Sequence, residues 1–280
     1  MADLKAKMAT GHKPRHKSKT QFETRATAEM NQHLADSSAW TDRQKLALIA
    51  RMLAAEGHGS ALAGQITARG DKDGTMWTAR FGLGLDEICA GDFLLVDDDL
   101  NVLEGDGMPN PSNRFHLWIY RARPDVTCVV HTHPPYVSAL SMIGVPLIVS
   151  HMDTAMFYDD CAWLAEWPGP PIGDEEGDLI SAALGDKRSI LLAHHGQLSA
   201  GETIEQAAVL AFHFERAAKM QLDAMAAGEI RPLPPAAGKQ AHDYRLKPAP
   251  LNATFHYYAR QVLAGAPECL DENACGVGHG

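Results

Sequence analysis

A chain of 280 residues that is 45% hydrophobic, with 24 glycines and 16 prolines, can bury a sizeable core and reads as one main domain with extensions, not as a disordered or fibrous protein. Its 35 acidic against 25 basic residues give a formal net charge of -10, which argues against nucleic-acid or membrane-surface partners and favours small-molecule chemistry. No apolar run reaches the roughly 20 residues of a membrane span and the start lacks a signal-peptide core, so a cytoplasmic location is expected.

Residues 1–21 carry Lys5, Lys7, Lys13, Arg15, Lys17 and Lys19 against Asp3, and are expected as a basic mobile arm. The main domain is expected over 22–230. Thr41-x-x-Gln44 has the form of a capping box, and Leu46, Leu48, Ile49, Met52 and Leu53 follow it as a helix that Gly57 stops. Short strands are predicted at 64–69, 75–80 and 92–96, punctuated by Gly-Asp and Asp-Gly pairs. Arg114 to Ala122 suits a helix, with Ser112 as its N-cap and Arg123-Pro124 as its end. A short helix is predicted from Glu175 to Leu184. Thr203-x-x-Gln206 then opens a long helix up to Gly228, marked by Ile204, Ala207, Ala211, Phe214, Ala218 and Leu222. Residues 231–280 are expected as a proline-rich connector, a short helix around Phe255 to Leu263, and a tail. Five cysteines, at 89, 128, 161, 269 and 275, form no CxxC pair and indicate neither a disulfide framework nor a zinc ribbon. GxGxxG and P-loop patterns do not occur.

The chemistry concentrates at two strand ends. Val126-Thr127-Cys128-Val129-Val130 runs into His131-Thr132-His133 and then Pro134-Pro135. Side chains in a strand repeat their direction every two residues, so His131 and His133 face one side together. Ser189-Ile190-Leu191-Leu192-Ala193 likewise runs into His194-His195-Gly196, and one of these two histidines can complete a set of three. Three neutral imidazoles with an open position are the donor set of a catalytic divalent-metal site.

These segments resemble the class II aldolase and adducin head domain family, the fold of fuculose-phosphate and ribulose-phosphate aldolases and epimerases. The resemblance rests on the strand His-x-His, the His-Gly 62 residues beyond His133, Arg114-Phe115-His116, Arg123-Pro124-Asp125, and Gly64-Gln65-Ile66-Thr67-Ala68-Arg69. It implies an α/β fold of three layers, α/β/α, around a central, mostly antiparallel sheet. It further implies one divalent metal ion per subunit, zinc first and manganese or iron as alternatives, held by His131, His133 and His195 with His194 turned away. A homotetramer with sites near subunit contacts is also implied.

Departures from the family pattern shape the functional expectation. Ser112 stands where the aldolases carry a catalytic glutamate, and no carboxylate occurs between Asp106 and Asp125. The positions that cradle a phosphate are occupied by Gln65, Phe81-Gly82, Asn110 and Pro111, so a sugar phosphate is not expected as substrate. Gln65 and Asn113 are candidate substrate contacts, and Tyr158 and Ser112 are candidate catalytic groups. His151 and Asp153 are candidate partners for the free N–H groups of metal-bound imidazoles, and His116 is expected as a satisfied core histidine. The expected function is a metal-dependent carbon–carbon lyase, by retro-aldol cleavage or decarboxylation, on a non-phosphorylated oxo- or hydroxy-acid. The alternatives are a mononuclear non-heme iron oxygenase and a non-catalytic, adducin-like binding protein.

Overall fold

The computed structural model describes residues 19–34, 40–169 and 173–273. Its eight-stranded sheet runs β4-β3-β2-β1-β5-β8-β7-β6, from β1 (Gln65–Arg69), β2 (Met76–Ala79), β3 (Phe93–Val96), β4 (Val102–Glu104), β5 (Cys128–Thr132), β6 (Cys161–Leu164), β7 (Ser189–Leu192) and β8 (Gln197–Gly201). Every neighbouring pair is antiparallel except β6 with β7. That parallel pair is joined through helix α5 (Asp174–Leu184), because parallel strands need a long crossover to return the chain to the same end.

Helices α2 (Asp42–Ala55), α4 (Pro135–Met142), α6 (Ile204–Ala227) and α8 (Pro248–Gly265) supply apolar side chains to one face of the sheet. Helices α3 (Arg114–Ala122) and α5 cover the other. Strand alternation divides β5 between the two cores: Cys128 and Val130 join the first, Val129 the second. The expected three-layer α/β/α architecture around a mostly antiparallel sheet is therefore the observed one.

Local chemistry explains most boundaries. Thr41 caps α2 through the reciprocal bond with Gln44. Thr203 caps α6 by accepting from the Gln206 N–H, while the Gln206 amide oxygen accepts from Glu202 N. Arg69 stitches the turn between α3 and β5: its guanidinium donates to the carbonyls of Tyr120, Arg123 and Val126 and lies 4.8 Å over the Tyr120 ring.

Three expectations need correction, and a fourth, the N-terminal arm, falls largely outside the described residues. Residues 231–250 do not form an extended connector; they contain α7 (Pro235–Arg245) and the start of α8. Prolines 235 and 248 sit at the first helical position, where a missing N–H costs nothing, so they begin helices there. Within the arm expected over 1–21, residues 1–18 lie outside the described residues, while α1 (Lys19–Gln32) is a helix with no buried residue. Ser112 is not the cap of α3, because a 3-10 turn, Pro111–Asn113, precedes that helix and Asn110 caps the turn by accepting from Ser112 N. Cys89 is disulfide-bonded, while Cys128, Cys161 and Cys269 are free thiols. Among the described residues no helix is long and apolar enough to cross a membrane.

Candidate metal centre

His131 continues the Val129 face of β5 and is buried against α3, where Phe115 meets its ring edge-on at 5.1 Å between centroids. His133 falls on the same side, just beyond the strand, and is partly open. The chain then turns through Pro134 into α4, whose first N–H groups are held by a single carboxylate: Glu215 accepts from Tyr136 N at 2.9 Å and Val137 N at 2.8 Å. An acidic group at a helix N-terminus is favourable by charge and by hydrogen bonding. Here it also fixes the direction in which the chain leaves His133.

His195 is delivered by the turn between β7 and β8. His194 takes the left-handed backbone conformation (φ 56°) and its side chain is exposed, so the chirality of the turn sends it away from the site. Gly196 is required by space: a Cβ there would lie 2.5 Å from the Thr132 carbonyl oxygen and 2.6 Å from the His133 ring. The His-Gly pair thus brings β8 close enough for His195 to meet the other two imidazoles.

The three rings have centroid separations of 4.8, 4.7 and 4.6 Å. One nitrogen from each of His131, His133 and His195 lies within 4.8 Å of the others. His131 Nδ1 donates to the Gln197 carbonyl at 2.9 Å, which leaves its Nε2 bare and directed at His133 Nε2, also 2.9 Å away. Two imidazole nitrogens so close need a proton or a cation between them. Burial is the main cause that holds all three groups below the ordinary histidine range, with His195 pushed down to about 4. Neutral rings with converging lone pairs fit a divalent ion of borderline softness, and among the described residues no carboxylate joins the set, so a position stays open.

Gln65 and Asn113 are brought near this centre. Gln65 pairs directly with His131 across β1 and β5, and both Gln65 and Asn113 line a small cleft of about 20 Å³ with Arg80, Phe81 and Gly82. Asn113 Nδ2 donates to Thr78 Oγ1 at 2.7 Å, so its amide oxygen is the atom without a partner; the Gln65 amide oxygen also lacks one. Ser112 lies next to Asn113 in the 3-10 turn.

Tyr158 is not brought to the histidines. It precedes β6, beside Cys161, which pairs with Ser189 at the start of β7, whereas His195 follows the far end of that strand. Three strand steps alone separate those ends by about 10 Å. The Tyr158 ring packs on Gly238 of α7, next to the buried Asp160, which pairs with Arg188 and His242. His151 and Asp153 do not support the imidazoles either: His151 Nδ1 accepts from Asp153 N, and Asp153 pairs with Arg216. His116 is satisfied at one nitrogen only, with Nδ1 2.8 Å from Thr67 Oγ1 and Nε2 unpartnered.

Sequence reasoning missed two buried groups here, and a third elsewhere on α5. His58 and Gln197 contact Thr132, the residue between His131 and His133. Glu176, on the first turn of α5, is 3% exposed and neither carboxylate oxygen has a partner. The period of α5 carried a signal, since Glu176 precedes the buried Ile180 and Leu184 by one and two turns on the same helix face.

Comparison with known proteins follows this geometry. The family described as Class II Aldolase and Adducin N-terminal domain matches residues 44–222. The meiotically up-regulated gene 14 protein of Schizosaccharomyces pombe is 28% identical over 234 residues, covering 81% of this chain and 87% of the relative. A Streptomyces roseochromogenus protein named 4-hydroxy-3-prenylphenylpyruvate oxygenase/4-hydroxy-3-prenylbenzoate synthase is 31% identical over 176 residues, 62% of this chain and 64% of that one. In structure, the L-fuculose 1-phosphate aldolase from Glaciozyma antarctica superposes with a TM-score of 0.74 at 28% identity, over 82% of this chain and 91% of the aldolase. Other relatives bear the names of a decarboxylase, sugar-phosphate aldolases and adducin-related proteins.

Proposed function

Because this chain belongs to the class II aldolase and adducin N-terminal domain family, we propose that it is a divalent-metal-dependent carbon–carbon lyase for a non-phosphorylated oxo- or hydroxy-acid. His131, His133 and His195 are the residues that would hold the ion. Such an ion supplies Lewis acidity where negative charge develops on a substrate oxygen.

The observation that carries the choice of substrate is the cleft beside His131. At about 20 Å³ it has room for a water-sized group; Gln65 and Asn113 line it, each with an amide oxygen that has no partner, while the Arg80 that also lines it is paired with Asp92. A phosphate dianion needs donors to replace its lost hydration, whereas a hydroxyl matches an amide oxygen. Gln65 and Asn113 are proposed to orient that hydroxyl. Ser112 can donate to a substrate oxygen but cannot act as a carboxylate base. In decarboxylation of a 3-oxo acid the bond to the leaving carboxylate breaks, CO2 departs, and the electron pair stays on the carbon next to the oxo group, delocalised into it as an enolate until a proton is returned. No base has to remove a proton from carbon first, which is why this reaction suits a site with serine at that position.

The test is an assay of aliphatic and aromatic oxo-acids beside fuculose, rhamnulose and ribulose phosphates, with metal content measured on protein purified without added metal. Cleavage or CO2 release from an oxo-acid, with zinc or manganese bound and no turnover of sugar phosphates, is the expected result. Robust turnover of any sugar phosphate overturns it. A second reading, a non-heme iron oxygenase, is favoured by the relative named as an oxygenase and is separated by iron content and oxygen uptake.

A homotetramer is proposed as well. Met142 and Ile143, at the end of α4, and Tyr244 and Tyr257 in the C-terminal helices are large, exposed side chains that would be covered by neighbouring subunits. Light scattering at micromolar concentration should give a mass about four times that of the chain, and a monomer would refute the assembly.

A further inference from the structure

On the side of β5 opposite the three imidazoles, four buried polar side chains form one continuous line. Ser199 Oγ donates to Gln197 Oε1 at 2.9 Å, Gln197 Nε2 donates to Thr132 Oγ1 at 2.8 Å, and Thr132 Oγ1 lies 2.8 Å from His58 Nδ1. Ser199 anchors the Gln197 amide with its nitrogen toward Thr132. With that N–H accepted, the hydroxyl proton of Thr132 is free to go to His58 Nδ1, which places the ring proton of a neutral His58 on Nε2. His58, Thr132, Gln197 and Ser199 are all fully buried.

Two features tie this line to the histidine centre. Thr132 is the residue between His131 and His133, so its side chain fixes the peptide units that join them. Gln197 acts twice, since its side chain holds Thr132 while its backbone carbonyl accepts from His131 Nδ1 at 2.9 Å. One residue therefore governs both the ring orientation of His131 and the strand segment between the two imidazoles.

The arrangement is costly for stability alone. His58 Nε2 is buried with no partner, and the ring meets Phe212 edge-on at 6.4 Å. An unsatisfied buried polar atom is a net cost to folding, which an apolar side chain of similar size would not carry.

We propose that His58, Thr132 and Gln197 form a buried clamp that sets the spacing and ring orientation of His131 and His133, and that His58 and Gln197 are positioning residues of the metal centre. The inference rests on the reading that the three histidines hold a divalent ion, and it adds which groups behind the sheet tune that hold.

Zinc affinity, measured by competition with a chromophoric chelator, and the melting temperature of the metal-free full-length protein test it together. His58→Leu and Gln197→Leu should each weaken zinc binding about 10- to 100-fold, the usual range for groups that orient ligands. His58→Leu should leave the metal-free melting temperature unchanged or higher. His58→Asn, whose amide can occupy the place of Nδ1, should stay within about threefold of the native affinity. A merely structural role would lower the melting temperature and leave zinc affinity unmoved. Should His58→Leu fail to fold, Gln197→Leu gives the same readout, because its backbone carbonyl remains. Native protein that binds zinc beside leucine variants of unchanged affinity overturns the clamp alone, as does an asparagine variant that falls as far as the leucine one. Native protein that takes up no zinc overturns the metal reading and the clamp with it.

Discussion

His195→Ala is expected to lose its divalent ion, with affinity falling by more than about 100-fold, beyond the 10- to 100-fold loss typical of an outer-shell change. His194→Asn is expected to keep it. The two residues are neighbours, yet His194 has a left-handed backbone and an exposed side chain, while His195 has its ring 4.7 Å from that of His131 and 4.6 Å from that of His133. Asparagine is the suitable replacement at 194 because it tolerates the left-handed region, where other side chains cost about 1–2 kcal/mol. Metal content by elemental analysis after dialysis, with one ion per native subunit as reference, checks the pair. Equal loss in both variants, or loss in neither, would contradict the assignment.

Glu176→Gln is expected to raise stability at pH 8 and to have little effect at pH 5. Burial lifts the carboxyl from its ordinary 4.5 to about 7, and no donor offsets that cost, since both oxygens lack partners. The folded state therefore holds a proton that the unfolded chain has released throughout that window. The contribution of this group to stability is full below about pH 4.5 and is lost as pH rises through 7. Between pH 5 and pH 8 the loss amounts to about 2–3 kcal/mol, since each tenfold change in proton affinity is worth roughly 1.4 kcal/mol and the unfolded carboxyl is already mostly ionised at pH 5. Urea denaturation of native and variant protein at pH 5 and pH 8 measures it. A difference between the two proteins that does not change with pH would show that the carboxyl is solvated or paired.

Glu176 also illustrates why part of the buried interior was not legible in the sequence. The α3 and α5 helices pack side by side, with Arg114 paired to Asp174 and Gly177 against Trp118. That packing places Glu176 on the face of the sheet that carries His131, although 45 positions separate the two residues. Ser112 stands in the 3-10 turn before α3, and no carboxylate occurs between Asp106 and Asp125. Tyr158 shows the opposite failure. Chain order puts it near the metal, but the 3-10 turn Met152–Phe157 delivers it to the start of β6, the wrong end of the parallel pair.

Periodicity by itself determined that His131 and His133 share a direction, that an apolar strand delivers a histidine pair at 194 and 195, and that a long capped helix follows. Those are local properties: two-residue strand alternation, capping chemistry and side-chain patterning are set within a few residues. The strands β6 and β8 were not legible, because strands this short are specified by their neighbours more than by their own residues. Only the tertiary structure decided which of His194 and His195 turns inward, through the handedness of one turn and the absence of a Cβ at Gly196. It alone joined His58, 73 positions upstream of His131, to the segment between the ligands. Hydrogen bonds between distant residues depend on strand register and helix packing, and those are fixed by the whole core rather than by any stretch of the chain.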